Sequence, residues 1–335
     1  MDRKDFERAL AQGLLPRVLL FEGEDQYLKQ ESLYSLRRAI LPPGMEALNE
    51  TVLDDPPTDR LIADAETQPF MSDRRLVIIR DMPALTGRAE ADERLLSWLP
   101  SVPETTQLLF YCTAKPDGRK KIYAAVKKLG GIVTFSPLRG TDLTRFVIDS
   151  FRKAGKECAP RTAEYLIFTV GDDAGILQNE ISKLSSHAGD CPSVSPADIS
   201  ELATPSTECT VFQMVDAVVT GQRSRALILL RNQLLAGTDR MAILSMLLRQ
   251  YRLLQHIKIM QYEKRNTDFI RSALGVPSFA LEQYLRQASG YSGSQIKNAV
   301  RICFDTEYAV KSGNMQPDGA VESVVIKLLS LRAAS

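Results

Sequence analysis

Histidine occurs only twice in these 335 residues, at His187 and His256, and cysteine only five times, at Cys112, Cys158, Cys191, Cys209 and Cys303. Neither histidine stands at ligand spacing from a cysteine, which speaks against a zinc site. No serine or cysteine lies in a nucleophile motif such as G-x-S-x-G, so neither histidine has a catalytic partner in the sequence. The cysteines are far apart, odd in number and never in a C-x-x-C pair; the reading is of free thiols in a reducing compartment. An excess of charge of one sign is missing too. Lys and Arg number 42 against 41 Asp and Glu, so any electrostatic footprint has to be local. No apolar run approaches the roughly 18 residues that a membrane helix needs. The opening Met1-Asp2-Arg3-Lys4-Asp5-Phe6-Glu7 is charged throughout, unlike a signal peptide. These absences lead to the expectation of a cytosolic protein with no metal, no membrane partner and no acid–base catalytic pair.

Glycine is scarce at one informative place. Val18-Leu19-Leu20-Phe21 reads as a buried strand and residues 26–40 as the helix after it, so a phosphate-binding loop would fall between them. Such a loop uses several glycines to let backbone N–H groups wrap the phosphates, a Lys to meet their charge and a Ser or Thr to hold Mg²⁺. Here the turn is Glu22-Gly23-Glu24-Asp25, with one glycine and three carboxylates. Carboxylates repel a polyphosphate at the helix N-terminus that would otherwise attract it. The expectation is a degenerate phosphate loop that binds no nucleotide.

What is present is regular. Apolar or β-branched runs at 17–21, 49–53, 76–79, 107–112 and 132–135 alternate with amphipathic segments at about 26–40, 58–66, 89–98 and 118–129. Continuous apolar strands separated by helices imply a parallel sheet covered on both faces, here an α/β domain of five strands over residues 1–138. After Ser136-Pro137 the strand signal stops. Helical periods at 141–154, 161–170 and 175–187, with Ser195-Pro196-Ala197-Asp198 opening a further short helix, predict a small helical domain over 139–205. Within it, Glu180 and Lys183 are spaced i, i+3 and read as a surface ion pair. Residues 203–207 read as a linker. Over 206–335 the pattern is entirely helical: Phe212, Val215 and Val219 share one face, as do Met241, Leu244, Leu248 and Tyr251, and breaks fall at Gly221, Gly237, Gly275-Val276-Pro277, Gly290 and Ser312-Gly313.

This order of domains resembles clamp-loader proteins of the AAA+ class. The string 68–79, Gln-Pro-Phe-Met-Ser-Asp-Arg-Arg-Leu-Val-Ile-Ile, is similar to the "PF-(F/L)-S-x-R-R-L-V" segment of the bacterial DNA polymerase III delta subunit family. Gly171-Asp172 with Leu177 and Glu180-Ile181-Ser182-Lys183-Leu184 resembles that family's "G-D…L…E-I-x-K-L". Val211-Phe212 with Asp216-Ala217, and Asp305 with Lys311-Ser312-Gly313, resemble its "F…D-A" and "D…K-(T/S)-G". The strings keep their order across residues 17–330. The resemblance implies an AAA+-like parallel five-stranded sheet domain, a helical lid domain and an all-helical collar domain. It further implies a clamp-opening subunit of the DNA-directed DNA polymerase III holoenzyme, with no cofactor and no ATPase activity of its own. The partners implied are the ring-shaped sliding clamp (beta subunit), the ATP-binding loader subunits, the delta-prime subunit and, through the complex, primed DNA. Two residue patterns agree with the loss of hydrolysis: the third strand ends Ile79-Arg80-Asp81-Met82 with a single acid where a Walker-B strand has two, and no Ser-Arg-Cys string that would carry an arginine finger is present.

The resemblance also implies candidate clamp-binding residues: Phe70 and Met71 as the apolar tip, Pro69 stopping the helix and stiffening the tip, and Leu61, Ile62 and Ala65 on the supporting helix. Read by period alone, Phe70 and Met71 would instead be core residues entering the third strand. Arg119, Lys120 and Lys121 are the candidate contacts to DNA or an acidic partner, or else a solvated helix face. A second basic stretch at 240–265 reads as the wet side of a packed helix. Three rival functions remain open at this point: an active P-loop ATPase, disfavoured by the 22–25 turn; a non-catalytic AAA+ adaptor or delta-prime-like stator, expected to show zinc-binding cysteines or an arginine finger; and a helical DNA-binding adaptor.

Overall fold

The computed structural model describes residues 1–276 and 278–333; Pro277, part of the predicted break at 275–277, lies outside them. The chain separates into two compact units, Met1–Leu138 and Arg139–Ser335.

The first unit carries strands β1 (Val18–Gly23), β2 (Glu50–Asp54), β3 (Arg75–Arg80), β4 (Thr106–Tyr111) and β5 (Ile132–Phe135). They form one sheet in the order β2-β3-β4-β1-β5, with every pairing parallel. The apolar runs of β1, β3 and β4 are buried on both sides, because helices cover both faces of a parallel sheet. Those helices are α1 (Arg3–Ala11), α2 (Gln26–Ile40), the one-turn α3 (Glu46–Asn49), α4 (Thr58–Glu66), the one-turn α5 (Pro83–Thr86), α6 (Glu93–Trp98) and α7 (Lys121–Lys128). Three aromatic rings, Phe6 of α1, Phe21 of β1 and Phe135 of β5, meet edge to face on one side of the sheet.

Two predicted helices start later than their amphipathic period suggests, and side-chain caps explain why. Asp92 accepts a hydrogen bond from Arg94 N and fixes the start of α6 at Glu93 rather than at 89. Asp117 accepts from Arg119 N and its carbonyl accepts from Lys120 N, which holds 117–120 in a turn before α7. Helix α1 was not foreseen, since Phe6 is its only buried residue.

Apart from one isolated bridge between Glu157 and Ser193, the regular structure among the described residues of the second unit is helical: α8 (Gly140–Lys153), α9 (Pro160–Val170), α10 (Ala174–His187), α11 (Pro196–Leu202), α12 (Thr207–Val219), α13 (Arg223–Leu235), α14 (Arg240–Tyr262), α15 (Thr267–Leu274), α16 (Ser278–Ser289), α17 (Gly293–Lys311) and α18 (Ala320–Ala333). Phe212, Val215, Leu244, Leu248 and Tyr251 lie in its main core. Ser195 and Asp198 form a reciprocal capping box at α11.

Two expectations for this unit are corrected. Glu180 is buried, and besides Lys183 it accepts a hydrogen bond from Thr204 N; the pair ties α10 to the following segment instead of decorating the surface. Residues 203–207 are likewise no free linker. Ala203 is buried, Ser206 N donates to Thr169 O at 2.8 Å, and the Ser206 side chain caps α12.

Candidate functional site

The turn between β1 and α2 and the turn between α4 and β3 carry most of the sequence-predicted residues of the first unit.

At the first, Gly23 is the last residue of β1 and pairs with Phe135 of β5. Its φ is +115°, and a Cβ there would sit 2.2 Å from Phe135 O. The glycine is therefore required by a close approach of two strands, whether or not a phosphate is present. Asp25 is the N-cap of α2, its carboxylate accepting from Leu28 N at 2.9 Å. A carboxylate of the chain itself thus occupies the end of the helix where an anion would bind. Glu22 accepts from Thr134 Oγ1 and Tyr123 OH, and Glu24 is exposed.

A lysine that the sequence reading missed belongs to this turn. Counting from Gly23, the G-x-x-x-x-G-K-(S/T) spacing of a phosphate loop falls on Leu28-Lys29-Gln30, so Lys29 stands at the lysine position while the residues on both sides depart from the pattern. The fixed distance from Gly23 was the available signal. In the fold Lys29 is 0% exposed, and its Nζ donates to Cys112 O at 2.6 Å. Burial lowers its pKa, with Cys112, Asp81, Asp25 and Glu22 acting in the opposite direction. Burial also pushes the neighbouring Cys112 thiol up to about 12. Asp81, at the end of β3 with φ +44°, accepts from Thr113 N at 2.7 Å and Thr113 Oγ1 at 2.8 Å. The cleft along the C-terminal ends of β2, β3 and β4, the usual ligand side of an open parallel sheet, has a volume of about 1020 Å³. Glu31, Asp54 and Asp81 line it against Arg37 and Arg80, and Arg37 is already paired with Glu50. Lysine, acid and helix end are all present here, each satisfied by a group of the chain itself.

At the second place, Phe70 and Met71 are 55% and 75% exposed and precede β3 instead of entering its core. Leu61 and Ile62, expected at the contact surface, are 0% and 8% exposed. They are on the sheet-facing side of α4 and are core residues, a correction that follows from α4 having to bury its apolar stripe. Ala65 is buried with them. Pro69 does not end the helix either: α4 closes at Glu66 with Thr67 as C-cap, and Thr67 Oγ1 bonds back to Ala63 O. Pro69, half-buried, leads into the tip.

The tip backbone is held from below. Asn49, at the end of α3 and 0% exposed, accepts from Phe70 N at 2.7 Å and donates to Phe70 O at 2.9 Å. Buried Arg75, the second arginine of the family-like string, donates to Thr67 O and Thr51 Oγ1. Met71 adopts φ +48°, the left-handed region that costs a non-glycine residue about 1–2 kcal/mol. The two apolar side chains are presented outward by a turn whose backbone is fixed inward.

The basic candidates lie elsewhere and are largely neutralised. Arg119 pairs with Asp117 through two hydrogen bonds, Lys120 with Glu90, and Lys121 with Glu93. In the second unit, Arg240, Arg249 and Arg265 of the 240–265 stretch are also ion-paired. No group of histidine, cysteine and acidic residues among the described residues could hold a metal ion.

A parallel five-stranded sheet unit followed by an all-helical unit is a fold that this chain shares with a solved clamp-loader subunit. A family model described as "DNA polymerase III, delta subunit" matches residues 19–136, and one described as "DNA polymerase III delta subunit, C-terminal domain" matches 208–328. The chain belongs to the DNA polymerase III delta subunit family. It is similar to DNA polymerase III subunit delta of Bacillus subtilis (strain 168), at 26% identity over 334 residues, covering 97% of this chain and 96% of the relative. The solved structure of the Bacillus subtilis DNA clamp loader delta protein (YqeN) superposes with a TM-score of 0.56 at 26% identity, over 98% of this chain and 99% of that one.

Proposed function

We propose that the chain acts as the delta subunit of a bacterial clamp loader, binding the ring-shaped sliding clamp through Phe70 and Met71 and stabilising its opened state without hydrolysing ATP. The observation that carries the reading is the tip itself: two large apolar side chains, exposed, on a turn whose backbone is anchored at Phe70 by buried Asn49, with Arg75 holding Thr67 ahead of it. An aromatic and a thioether presented this way suit an apolar pocket on a partner. Opening follows if the tip binds the open ring better than the closed one, since binding shifts an equilibrium only by its differential affinity. The clamp supplies the strain and this chain supplies the bias.

In this reading residues 139–205 form the lid and 206–335 the collar that assembles with the ATP-binding loader subunits and the delta-prime subunit in the cytoplasm. Primed DNA is reached through the complex. The ion pairs of Arg119, Lys120 and Lys121 fit a surface that does not itself grip phosphates.

The missing hydrolysis is supported by Asp25 capping α2 and by Lys29 being turned into the domain. A nucleotide present at about 100 times its Kd stabilises its host by about 2.7 kcal/mol, which is several degrees in melting temperature for a domain of this size. The expected result for this chain with Mg-ATP at a few millimolar is no change in melting temperature. A saturable upward shift would return the β1–α2 turn to the nucleotide-binding class. The central test is clamp binding by the wild type beside a Phe70→Ala/Met71→Ala variant.

A further inference from the structure

We infer that Asn49 is a positioning residue for clamp binding: its buried carboxamide sets the backbone of Phe70 and so holds Phe70 and Met71 in the orientation that engages the partner. The inference rests on the proposed clamp-binding role of the tip and adds a residue that no motif in the sequence marks.

Asn49 lies in a different element from the tip, 21 residues earlier in the chain. Its side chain pairs with Phe70 as a neighbouring strand would, taking the N–H and giving a hydrogen to the carbonyl, while the second amide hydrogen goes to Met45 O at 3.2 Å. Among the described residues, the hydrogen bonds that tie 68–73 back to the domain run through this one side chain; Ser72 bonds only locally, with Arg74. Complete burial makes the arrangement all-or-none, because an amide left unpaired there carries its full desolvation cost. The carboxamide offers a donor and an acceptor side by side, which the carboxylate or alkyl side chain of the same size does not. Phe70 has over half its surface in solvent and Met71 three quarters, with Met71 in a left-handed conformation. Side-chain packing is therefore not what holds the turn. Without Asn49 the tip samples many conformations, and the apparent affinity falls by the fraction that remains competent.

The test is carried out on the full chain, with the sliding clamp of the same organism as ligand. Wild type, Asn49→Ala, Met71→Ala, the Asn49→Ala/Met71→Ala pair and Phe70→Ala/Met71→Ala are compared for clamp affinity, melting temperature and amide hydrogen exchange at Phe70. The expected result is that Asn49→Ala weakens clamp binding by about tenfold or more and removes the exchange protection of the Phe70 amide, with a melting temperature lower by several degrees and the protein still folded at the assay temperature. In the Met71→Ala background the same substitution should cost less, because part of what it positions is gone. Wild-type affinity in Asn49→Ala, retained protection at Phe70, or an equal cost in both backgrounds would overturn the inference while leaving the tip in place. Unchanged binding by Phe70→Ala/Met71→Ala would overturn the tip itself and the inference with it. Should Asn49→Ala fail to fold, wild-type exchange decides: a slow Phe70 amide upholds the clamp formed by Asn49, and a fast one refutes it.

Discussion

Replacing Phe70 and Met71 together by alanine should weaken binding to the sliding clamp by about a thousandfold and leave the fold intact. Buried anchor residues of this type contribute about 2 kcal/mol or more each to an interface, and about 4 kcal/mol corresponds to three powers of ten in Kd. The stability cost is small because neither side chain fills the core: 55% and 75% of their surfaces already face water, so no cavity opens on truncation. Alanine keeps the same preference against φ +48° at position 71, so the backbone is not released as glycine would release it. Titration calorimetry with the clamp, beside a thermal melt, reads both quantities. Binding that survives the double substitution would keep the chain in its family and move the contact elsewhere on the first unit.

The second large effect concerns stability. Gly23→Ala should lower the stability of the first unit by roughly 4 kcal/mol, combining left-handed backbone strain with a steric clash that neither partner can relieve. The added Cβ would lie 2.2 Å from Phe135 O and 2.7 Å from Phe135 C and N, all backbone atoms. Moving them breaks the Gly23–Phe135 pairing of β1 and β5 and the hydrogen bond from Asp25 N to Phe135 O. The expected drop in melting temperature is roughly 10 °C or more. A variant that melts with the wild type would mean that the strands can separate there, and Gly23 would then need another explanation, such as a bound anion.

The central strands β1, β3 and β4 were legible because burial on both faces leaves unbroken apolar runs, and each predicted run, those of the edge strands β2 and β5 included, maps onto its strand within two residues. Helix α2 was legible from its amphipathic period over 26–40, whereas the role of Asp25 as its N-cap comes from the fold. One-turn helices α3 and α5 are too short to show a period at all. The apolar tip was legible only as a string, since Phe70 and Met71 are the same residue types that fill a core; periodicity alone would have buried them and exposed nothing. Leu61 and Ile62 went the other way: the resemblance set them beside the tip, whereas the 3.6-residue repeat of α4 turns them to the sheet. Lys29 was hidden by the departures around it, Leu28 and Gln30, although its distance from Gly23 was countable. Asn49 had no signal: in the sequence it is only the first residue of the run 49–53 read as a strand, and its contact exists only once the fold brings Phe70 over it.

The measurement that bears most directly on the account is ring opening. A sliding clamp labelled with a donor and an acceptor dye across one of its subunit interfaces is mixed with the purified chain in the absence of nucleotide. Energy transfer across the interface is expected to fall on addition of wild type and to stay unchanged on addition of the Phe70→Ala/Met71→Ala variant. Wild-type binding that leaves energy transfer at the closed-ring value would contradict it, reducing the tip to a tether with no bias toward the open state.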